Sequence, residues 1–276
     1  MKHFCIFENR KKEAADETAG LIRSYLEQHG ADCVIRTGKL RKDTFPLEKI
    51  DCVITLGGDG TILRAARNLA GTNIPIVGVN LGHLGYMTSV SRREDVTGML
   101  DALMRGEYLL EERMMLCGSV THGEEKALES VALNEVVITR DRSVHTIRFR
   151  VDVNGRFLNE YASDGIIIAT PTGSTAYNLS AGGPIVDPVA RMMILTPMYP
   201  HALSRSSIVL RAEDRIDITI TESDAASQVC VFDGVDEERL YPGSRVTVWE
   251  SPETTTFINL QSGSFLDRLR SKMTVL

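Results

Sequence analysis

The first hundred residues alternate short apolar runs with segments of helical periodicity, and this alternation limits the folds open to the chain. The apolar runs lie at residues 4–7, 33–35, 52–56 and 76–79. Between the first two runs, residues 13–29 carry apolar side chains at steps of three and four, and Gly30 is a suitable stop for that helix. Short apolar strands that alternate with helices predict a parallel sheet covered on both faces.

The second half of the sequence has a different character. Up to about residue 260, runs rich in Val, Ile, Thr and Phe predominate, and helical periodicity returns only at 190–195 and 265–273. The expected fold class is α/β plus all-β. An N-terminal parallel-sheet α/β domain is expected over residues 1–110, and a β-sandwich-like domain over residues 111–263. The sequence leaves open whether the helix within residues 264–276 packs back on the first domain.

Charge and cysteine usage exclude several classes of protein. The 276 residues include 31 Lys and Arg and 37 Asp and Glu, and the net charge of −6 disfavours a general nucleic-acid binder. A phosphate-bearing small ligand stays compatible, because a few backbone N–H groups hold one phosphate. The five scattered cysteines favour neither zinc sites nor a disulfide framework. No apolar run approaches the ~18 residues that a membrane-spanning helix needs, and the N-terminal segment lacks signal-peptide features. We therefore expect a cytoplasmic protein without membrane or nucleic-acid partners.

A glycine cluster follows the apolar run at residues 52–56 and precedes a predicted helix over residues 61–70. Its residues are Gly57, Gly58, Asp59, Gly60 and Thr61. In a parallel sheet, ligands bind outside the carboxyl ends of the strands, and the N–H groups of a helix start suit a phosphate. The cluster is neither a P-loop nor the dinucleotide fingerprint. The alternative interpretation is a tight turn in which Asp59 only caps the helix.

Asp59 is the unusual member of this cluster, because a carboxylate would repel a phosphate unless it has a specific task. It is suited either to positioning Mg²⁺ or to accepting a proton from a hydroxyl that attacks a phosphoryl group. Arg64, one turn into the predicted helix, is within reach of a phosphate or belongs to a solvated helix face. A further glycine-rich segment at residues 78–86 would lie beside the first cluster and is the weaker signal.

Two polar segments of the second half are candidates for sugar and base recognition. Asn134-Glu135 precedes a predicted strand, where paired donor and acceptor side chains suit the vicinal hydroxyls of a ribose. Residues 164–184 form a long, charge-poor stretch with an aromatic face at Tyr177. Its hydroxyl groups belong to Thr172, Ser174, Thr175 and Ser180. A surface dipeptide and an ordinary polar hairpin are the alternatives.

Together these residues resemble the NAD kinase family, in its bacterial ATP-NAD kinase form. The resemblance covers nearly the whole chain and rests on Gly57 to Thr61, Asn134-Glu135, residues 170–184 and residues 196–204, in the family's order. Diacylglycerol-type lipid kinases and phosphofructokinases carry motifs similar to the first. The Asn-Glu pair and the Thr-Pro-Thr-Gly-Ser-Thr-Ala-Tyr loop discriminate for NAD kinases.

The resemblance implies an NAD kinase/diacylglycerol kinase-like fold and a transferase that moves the γ-phosphate of ATP to the 2′-hydroxyl of the adenosine ribose of NAD, giving NADP. It implies Asp59 as the proton acceptor, a divalent metal such as Mg²⁺, and a homodimer or homotetramer. No residue is assigned as a metal ligand. The expected nucleotide-binding residues are Gly57, Gly58, Asp59, Gly60, Thr61, Arg64, Asn134, Glu135, His145, Asp164, Thr172, Thr175, Ala176, Tyr177, Asn178, Leu179 and Ser180.

Two positions depart from the family pattern. Ser206-Ser207 stand where many members have Arg-Pro, and Ala162 stands where some members have a basic residue. The second departure leaves the preference between NAD and NADH open, and the use of ATP or polyphosphate is open as well. Two other functions remain as alternatives: a non-catalytic NAD(P)-binding sensor, and a lipid kinase that shares the Gly-Gly-Asp-Gly-Thr motif.

Overall fold

The computed structural model describes residues 1–8, 13–38, 40, 46–80, 85–90, 92–141, 145–200, 205–222, 228–260 and 265–273. Residues 81–84, within the second glycine-rich segment, and residues 201–204, within the last family motif, lie outside this part. The chain divides into two compact units. The first comprises Met1–Arg113 with Thr254–Leu276, and the second comprises Met114–Glu253.

The helices and strands are numbered along the chain. The helices are α1 (Glu13–Gln28), α2 (Asp59–Leu69), α3 (Val96–Arg105), α4 (Tyr177–Ser180) and α5 (Phe265–Met273). The strands are β1 (His3–Glu8), β2 (Asp32–Thr37), β3 (Cys52–Leu56), β4 (Ile76–Val79), β5 (Leu109–His122), β6 (Glu125–Ala132), β7 (Glu135–Arg140), β8 (Ile147–Val153), β9 (Arg156–Ser163), β10 (Gly165–Ala169), β11 (Met192–Met198), β12 (Ile208–Arg211), β13 (Ile216–Glu222), β14 (Gln228–Phe232), β15 (Asp236–Leu240) and β16 (Ser244–Asn259).

The first unit contains the predicted parallel sheet, with strand order β2-β1-β3-β4. Strands β3 and β4 are buried on both faces, as their continuous apolar runs require, whereas the edge strand β2 is only partly buried. In α1 the positions Ile22 and Leu26, one turn apart, are fully buried, and Gly30 ends the helix with a φ of 76°. The predicted α/β class of the N-terminal part is confirmed.

Helix α2 begins earlier than the sequence predicts. The helix starts at Asp59 rather than at Thr61, because extended Gly58 is the N-cap residue and its carbonyl accepts a hydrogen bond from Thr61 N at 2.9 Å. Asp59 and Gly60 therefore belong to the first helical turn. Their backbone N–H groups are among those that no carbonyl of a preceding turn can reach.

The second unit is built from antiparallel strands. One sheet has the order β12-β11-β10-β7-β14-β15, and further antiparallel pairs join β16 to β13, β13 to β8, and β8 to β9. Every second residue of these strands points inward, and both groups of strands contribute to one apolar core. Its fully buried members include Ile138, Ile168 and Phe149. This arrangement confirms the predicted sandwich-like β class.

The helix predicted at residues 190–195 is wrong. The structure has strand β11 there, paired with β10 and β12. Met193 and Leu195 face the main core of this unit, whereas Ile194 and Met198 pack on the opposite face beneath Ala181. A strand buried on both faces shows no period of two, so its short apolar run cannot be told from a helix.

The second unit ends at residue 253, whereas the sequence places the end of the β-rich domain at residue 263. The last residues of β16 fall in the first unit, where Phe257 pairs with Ile76 of β4 in parallel and Ile258 joins the apolar core. The sequence shows only one continuous β-rich run. Among the described residues, no helix has the length and apolar content needed to span a bilayer.

Candidate active site

The glycine turn of the first unit closes tightly at the carboxyl ends of β3 and β4. Gly57 donates its N–H to the Val79 carbonyl at 3.0 Å and has a φ of 149°. A Cβ at this position would overlap the hydroxyl oxygen of Thr61. Gly57 is therefore required by the turn itself, and Thr61 is buried against it.

The start of α2 is open in front of this turn. A Cβ added to Gly58 or to Gly60 would have no described protein atom within 4 Å. The unpaired N–H groups and the positive end of the helix dipole suit a phosphate at this place. Half-buried Arg64 has its guanidinium carbon 6.0 Å from the centre of the Phe7 ring, near the carboxyl end of β1. This is a long cation–π distance and leaves the guanidinium donors available for an anion.

The segment after β4 holds the Asp59 carboxylate in place. Oδ2 accepts a hydrogen bond from Tyr86 N at 3.1 Å, and Oδ1 accepts one from Met87 N at 3.3 Å. A Cβ on Gly85 would overlap the same carboxylate. The weaker glycine-rich segment of the sequence thus supplies the support for Asp59, a contact between residues 27 or more positions apart.

The open side of α2 gives a first prediction. Gly60→Ala should raise the KM for ATP by roughly tenfold, about 1.4 kcal/mol, because the added methyl group stands where a phosphate would approach. The fold should be retained, since this methyl group contacts no described protein atom. Gly20→Ala in α1, which is equally free of neighbours, is the control. Steady-state kinetics with varied ATP measure the effect, and an unchanged KM in Gly60→Ala would exclude phosphate binding at this turn.

A second prediction concerns the support of Asp59. Gly85→Ala should lower kcat by about 10²-fold, because the new Cβ displaces the carboxylate without removing it. The carboxylate is able to rotate away, so thermal unfolding should change little. Gly98→Ala, in α3, adds a methyl group in open space and should leave kcat unchanged. If Gly85→Ala turned over like the wild-type enzyme, the position of Asp59 would not matter for the reaction.

In the second unit, Asn134 and Glu135 lie at the start of β7 and are more than nine-tenths buried. Three buried atoms here have no hydrogen-bond partner among the described residues: Asn134 Oδ1, Glu135 Oε2 and Thr172 Oγ1. Buried polar atoms are rarely left unsatisfied in native proteins. Their concentration at one place indicates a site for a polar ligand.

The loop after β10 is fastened to this pair. Thr170 N donates to the Asn134 carbonyl at 2.8 Å, and Thr170 Oγ1 donates to the Leu133 carbonyl at 2.6 Å. The same hydroxyl accepts the N–H of Gly173 at 3.0 Å. A Cβ on Gly173 would overlap the Asn134 backbone. The small residues of this loop therefore allow close packing against Asn134.

Burial, together with the charge of Asp233, raises the pKa of Glu135 to about 8, although a hydrogen bond from the Tyr177 backbone acts in the opposite direction. The Glu135 side chain is therefore mostly protonated at neutral pH. A carboxylic acid offers one O–H donor and one carbonyl acceptor. With the amide of Asn134 beside it, the pair is able both to donate to and to accept from a sugar hydroxyl.

The residues of α4 have two different environments. Tyr177, Leu179 and Ser180 are exposed, whereas Asn178 is fully buried. Asn178 Nδ2 donates to the carbonyls of Ser174 and Pro184, and its Oδ1 accepts the Thr196 hydroxyl at 2.7 Å. Asn178 is thus bonded both to its own loop and to Thr196 of β11, and a ligand contact would require these bonds to be exchanged.

Tyr177 links several predicted residues. Burial raises the pKa of its phenol, and the neighbouring Tyr199, Asp164 and Glu135 raise it further. Asp164 is half-buried and forms an ion pair of 2.9 Å with Arg140. The structure therefore brings Tyr177, Asp164 and Glu135 into one neighbourhood.

The remaining predicted residues lie at the margins of this neighbourhood. Thr175 and Ala176 are half-buried, and Thr175 Oγ1 donates to the Thr172 carbonyl at 3.4 Å. His145 is exposed just before β8. The sequence analysis missed Asp233, whose carboxylate accepts the N–H groups of Leu133, Asn134 and Glu135. Its only signal in the sequence is the turn-like Asp-Gly pair.

The start of α2 suits an anion and the start of β7 suits a hydroxyl, and a phosphotransferase that acts on a sugar hydroxyl needs both kinds of site. Family models match both parts of the chain. The ATP-NAD kinase N-terminal domain matches residues 7–108, and the ATP-NAD kinase C-terminal domain matches residues 133–260. The chain belongs to the ATP-NAD kinase family, and its function is that of an NAD kinase.

Curated relatives agree over the full length. The NAD kinase of Lachnospira eligens is 38% identical and covers 99% of this chain and 100% of its own length. The NAD kinase of Thermoanaerobacter sp. is 42% identical, with 99% of both chains covered. None of these comparisons favours a lipid kinase or a sensor without activity.

Solved structures share the fold. Yeast NADH kinase complexed with NADH superimposes with a TM-score of 0.90 at 20% identity, covering 99% of this chain and 88% of that one. The NAD kinase from Archaeoglobus fulgidus in complex with ATP has a TM-score of 0.78 at 24% identity, with both chains fully covered. At these identities the likeness concerns the fold.

Proposed function

We propose that this chain phosphorylates NAD with Asp59 as the proton acceptor at the 2′-hydroxyl of the adenosine ribose. The observation that carries this proposal is the fixed Asp59 carboxylate, held by two backbone N–H groups beside an open helix start. A carboxylate in such a place is rigid and acceptor-only. It has the properties needed to take a proton from an attacking hydroxyl.

The chemistry asks for alignment and charge neutralisation. A sugar hydroxyl is a poor nucleophile, and phosphoryl transfer passes through a loose transition state. The 2′-oxygen forms a bond to the γ-phosphorus while the bond to the leaving ADP oxygen breaks. The hydroxyl proton passes to Asp59. The N–H groups at the start of α2, with Arg64, bind the phosphates of ATP.

The second unit binds the dinucleotide in this proposal. Asn134, Glu135 and Thr172 supply buried polar atoms that need partners, which the ribose hydroxyls provide. The exposed face of Tyr177 suits stacking on a base. Asp164, Ala176 and His145 are proposed as further contacts, in keeping with the resemblance.

A divalent metal, such as Mg²⁺, fits this site only together with the substrate. Among the described residues, no group of three or more His, Cys, Asp or Glu side chains is arranged to hold a metal ion. Magnesium usually keeps several waters and is held largely by the phosphates of a nucleotide, so the phosphates of ATP would supply its ligands here while Asp59 stays available for the proton. When bound, the metal ion neutralises phosphate charge.

Assembly and location are proposed as for the family: a homodimer or homotetramer in the cytoplasm, with small nucleotides as ligands and neither membranes nor nucleic acids as partners. Support for the location comes from the five cysteines, all of which are unpaired. Exposed apolar side chains such as Leu109 and Leu110 in β5 support self-association.

A coupled assay tests the proposed reaction. The purified protein is incubated with ATP, Mg²⁺ and NAD, and NADP is measured with an NADP-specific dehydrogenase. We expect NADP to accumulate in proportion to enzyme concentration. Binding of NAD without any NADP under ATP or polyphosphate would indicate a sensor, and phosphorylation of diacylglycerol vesicles instead of NAD would indicate a lipid kinase.

A further inference from the structure

Asp233 occupies the turn after β14 in an unusual way. Its side chain is 8% exposed, and its backbone has a φ of 49°, which few residues other than glycine adopt. The carboxylate accepts three consecutive backbone N–H groups. Leu133 N donates to Oδ2 at 2.7 Å, while Asn134 N and Glu135 N donate to Oδ1 at 2.9 and 3.1 Å.

The backbone of Asp233 adds a fourth connection to the same segment. Its N–H donates to the Glu135 carbonyl at 3.1 Å. Hydrogen bonds to an ionised acceptor are shorter and stronger than those between neutral groups. The turn that carries Asn134 and Glu135 is therefore held by one carboxylate, 98 to 100 residues away in sequence.

We propose that Asp233 is a positioning residue for dinucleotide binding, because it fixes the backbone from which the Asn134 and Glu135 side chains reach the ligand. This proposal rests on the proposed binding role of that pair. Asp233 is a poor candidate for direct contact with the ligand, because its two oxygens already accept three N–H groups. Its effect passes through Asn134 and Glu135.

An amide at position 233 cannot reproduce this arrangement. Asparagine has one acceptor oxygen, whereas the three N–H groups are shared between both carboxylate oxygens. In either orientation of the amide, its NH₂ group faces at least one backbone N–H, and two donors cannot form a hydrogen bond. Loss of the bond to Leu133, or of both other bonds, would let the turn move away from the geometry that the ligand needs.

The test compares Asp233→Asn with Asp236→Asn in steady-state kinetics. Asp236, three residues further along, accepts a hydrogen bond from the Ser130 hydroxyl at 2.6 Å and serves as a matched control. We expect Asp233→Asn to raise the KM for NAD at least tenfold, with the KM for ATP within twofold of the wild-type value. A purely structural role would reduce the active fraction and leave the KM for NAD unchanged, and that result would overturn the proposal.

A double-mutant cycle tests whether Asp233 acts through the pair. In the Asn134→Ala/Glu135→Ala background, Asp233→Asn should weaken NAD binding, measured by calorimetry, by less than a further twofold. An undiminished effect in that background would contradict the proposed route. Calorimetry needs no turnover, so failure of the positioning role is distinguishable from absence of kinase activity in the wild-type protein.

Amide exchange in the wild-type protein decides the matter if Asp233→Asn does not fold. The proposal requires the amides of Leu133, Asn134 and Glu135 to exchange at least 100-fold more slowly than the amide of an exposed turn residue such as Gly155. Exchange at the rate of exposed turns would show that the carboxylate does not hold the segment, and would overturn the proposal.

Discussion

Asp59→Asn is expected to lower kcat for NADP formation by roughly 10²–10⁴-fold, the usual cost of losing a general base. An amide does not accept the hydroxyl proton at neutral pH. The affinity for NAD should stay within about threefold of the wild-type value, because the proposed dinucleotide contacts Asn134 and Glu135 do not depend on this carboxylate. Steady-state kinetics and calorimetric titration with NAD measure the two quantities separately.

Asp51→Asn is a closely matched control for this variant. Asp51 belongs to the same unit, and its carboxylate also accepts two backbone N–H groups, from Lys2 at 2.6 Å and His3 at 3.0 Å. It precedes β3, whereas Asp59 follows it, so the two carboxylates lie at opposite ends of that strand. Asp51→Asn should retain kcat. Near-normal turnover in Asp59→Asn would remove Asp59 from the chemical step.

Glu135→Gln is expected to abolish a pH dependence of stability. The pKa of Glu135 lies near 8 in the folded chain, above its ordinary value of 4.5. Between these two values the unfolded chain has lost the proton while the folded chain keeps it, so wild-type stability falls as pH rises from about 4.5 to about 8. At about 1.4 kcal/mol per tenfold change in proton affinity, the loss amounts to at most about 5 kcal/mol. Glutamine does not titrate, so the stability of the variant should not show this loss.

Thermal unfolding between pH 5 and pH 8.5 measures this effect. The Tm of Glu135→Gln minus the Tm of the wild type should increase as the pH rises. Most of this increase should be reached by pH 8. Glu160→Gln, on the exposed side of β9, controls for the loss of a carboxyl group in this unit. Parallel pH profiles for the wild type and Glu135→Gln would show that Glu135 is not protonated in the folded chain.

Local patterns in the sequence predicted much of the fold. The parallel sheet follows from continuous apolar runs such as Cys52–Leu56, which a strand buried on both faces requires. The glycine turn at Gly57 follows from its place between that strand and a helix. Both features depend on neighbours in sequence, and such signals are readable without a structure.

Contacts between distant segments could not be predicted in the same way. The support of Asp59 by Tyr86 and Met87, and of Asn134 by Asp233, depends on which turns meet in space. Strand β11 was mistaken for a helix because both of its faces are buried. The side-chain amide of Asn178 bonds to Ser174 and Pro184 of its own loop and to Thr196 of β11, contacts that the sequence does not reveal.

The fate of the γ-phosphate tests the central claim most directly. The protein is incubated with NAD and ATP labelled at the γ-phosphate, and the labelled product is isolated and examined by ³¹P NMR. The label is expected in a phosphomonoester on the 2′-oxygen of the adenosine ribose, with ADP released in equal amount. Label found only in inorganic phosphate, or on any other oxygen of the dinucleotide, would contradict the assignment.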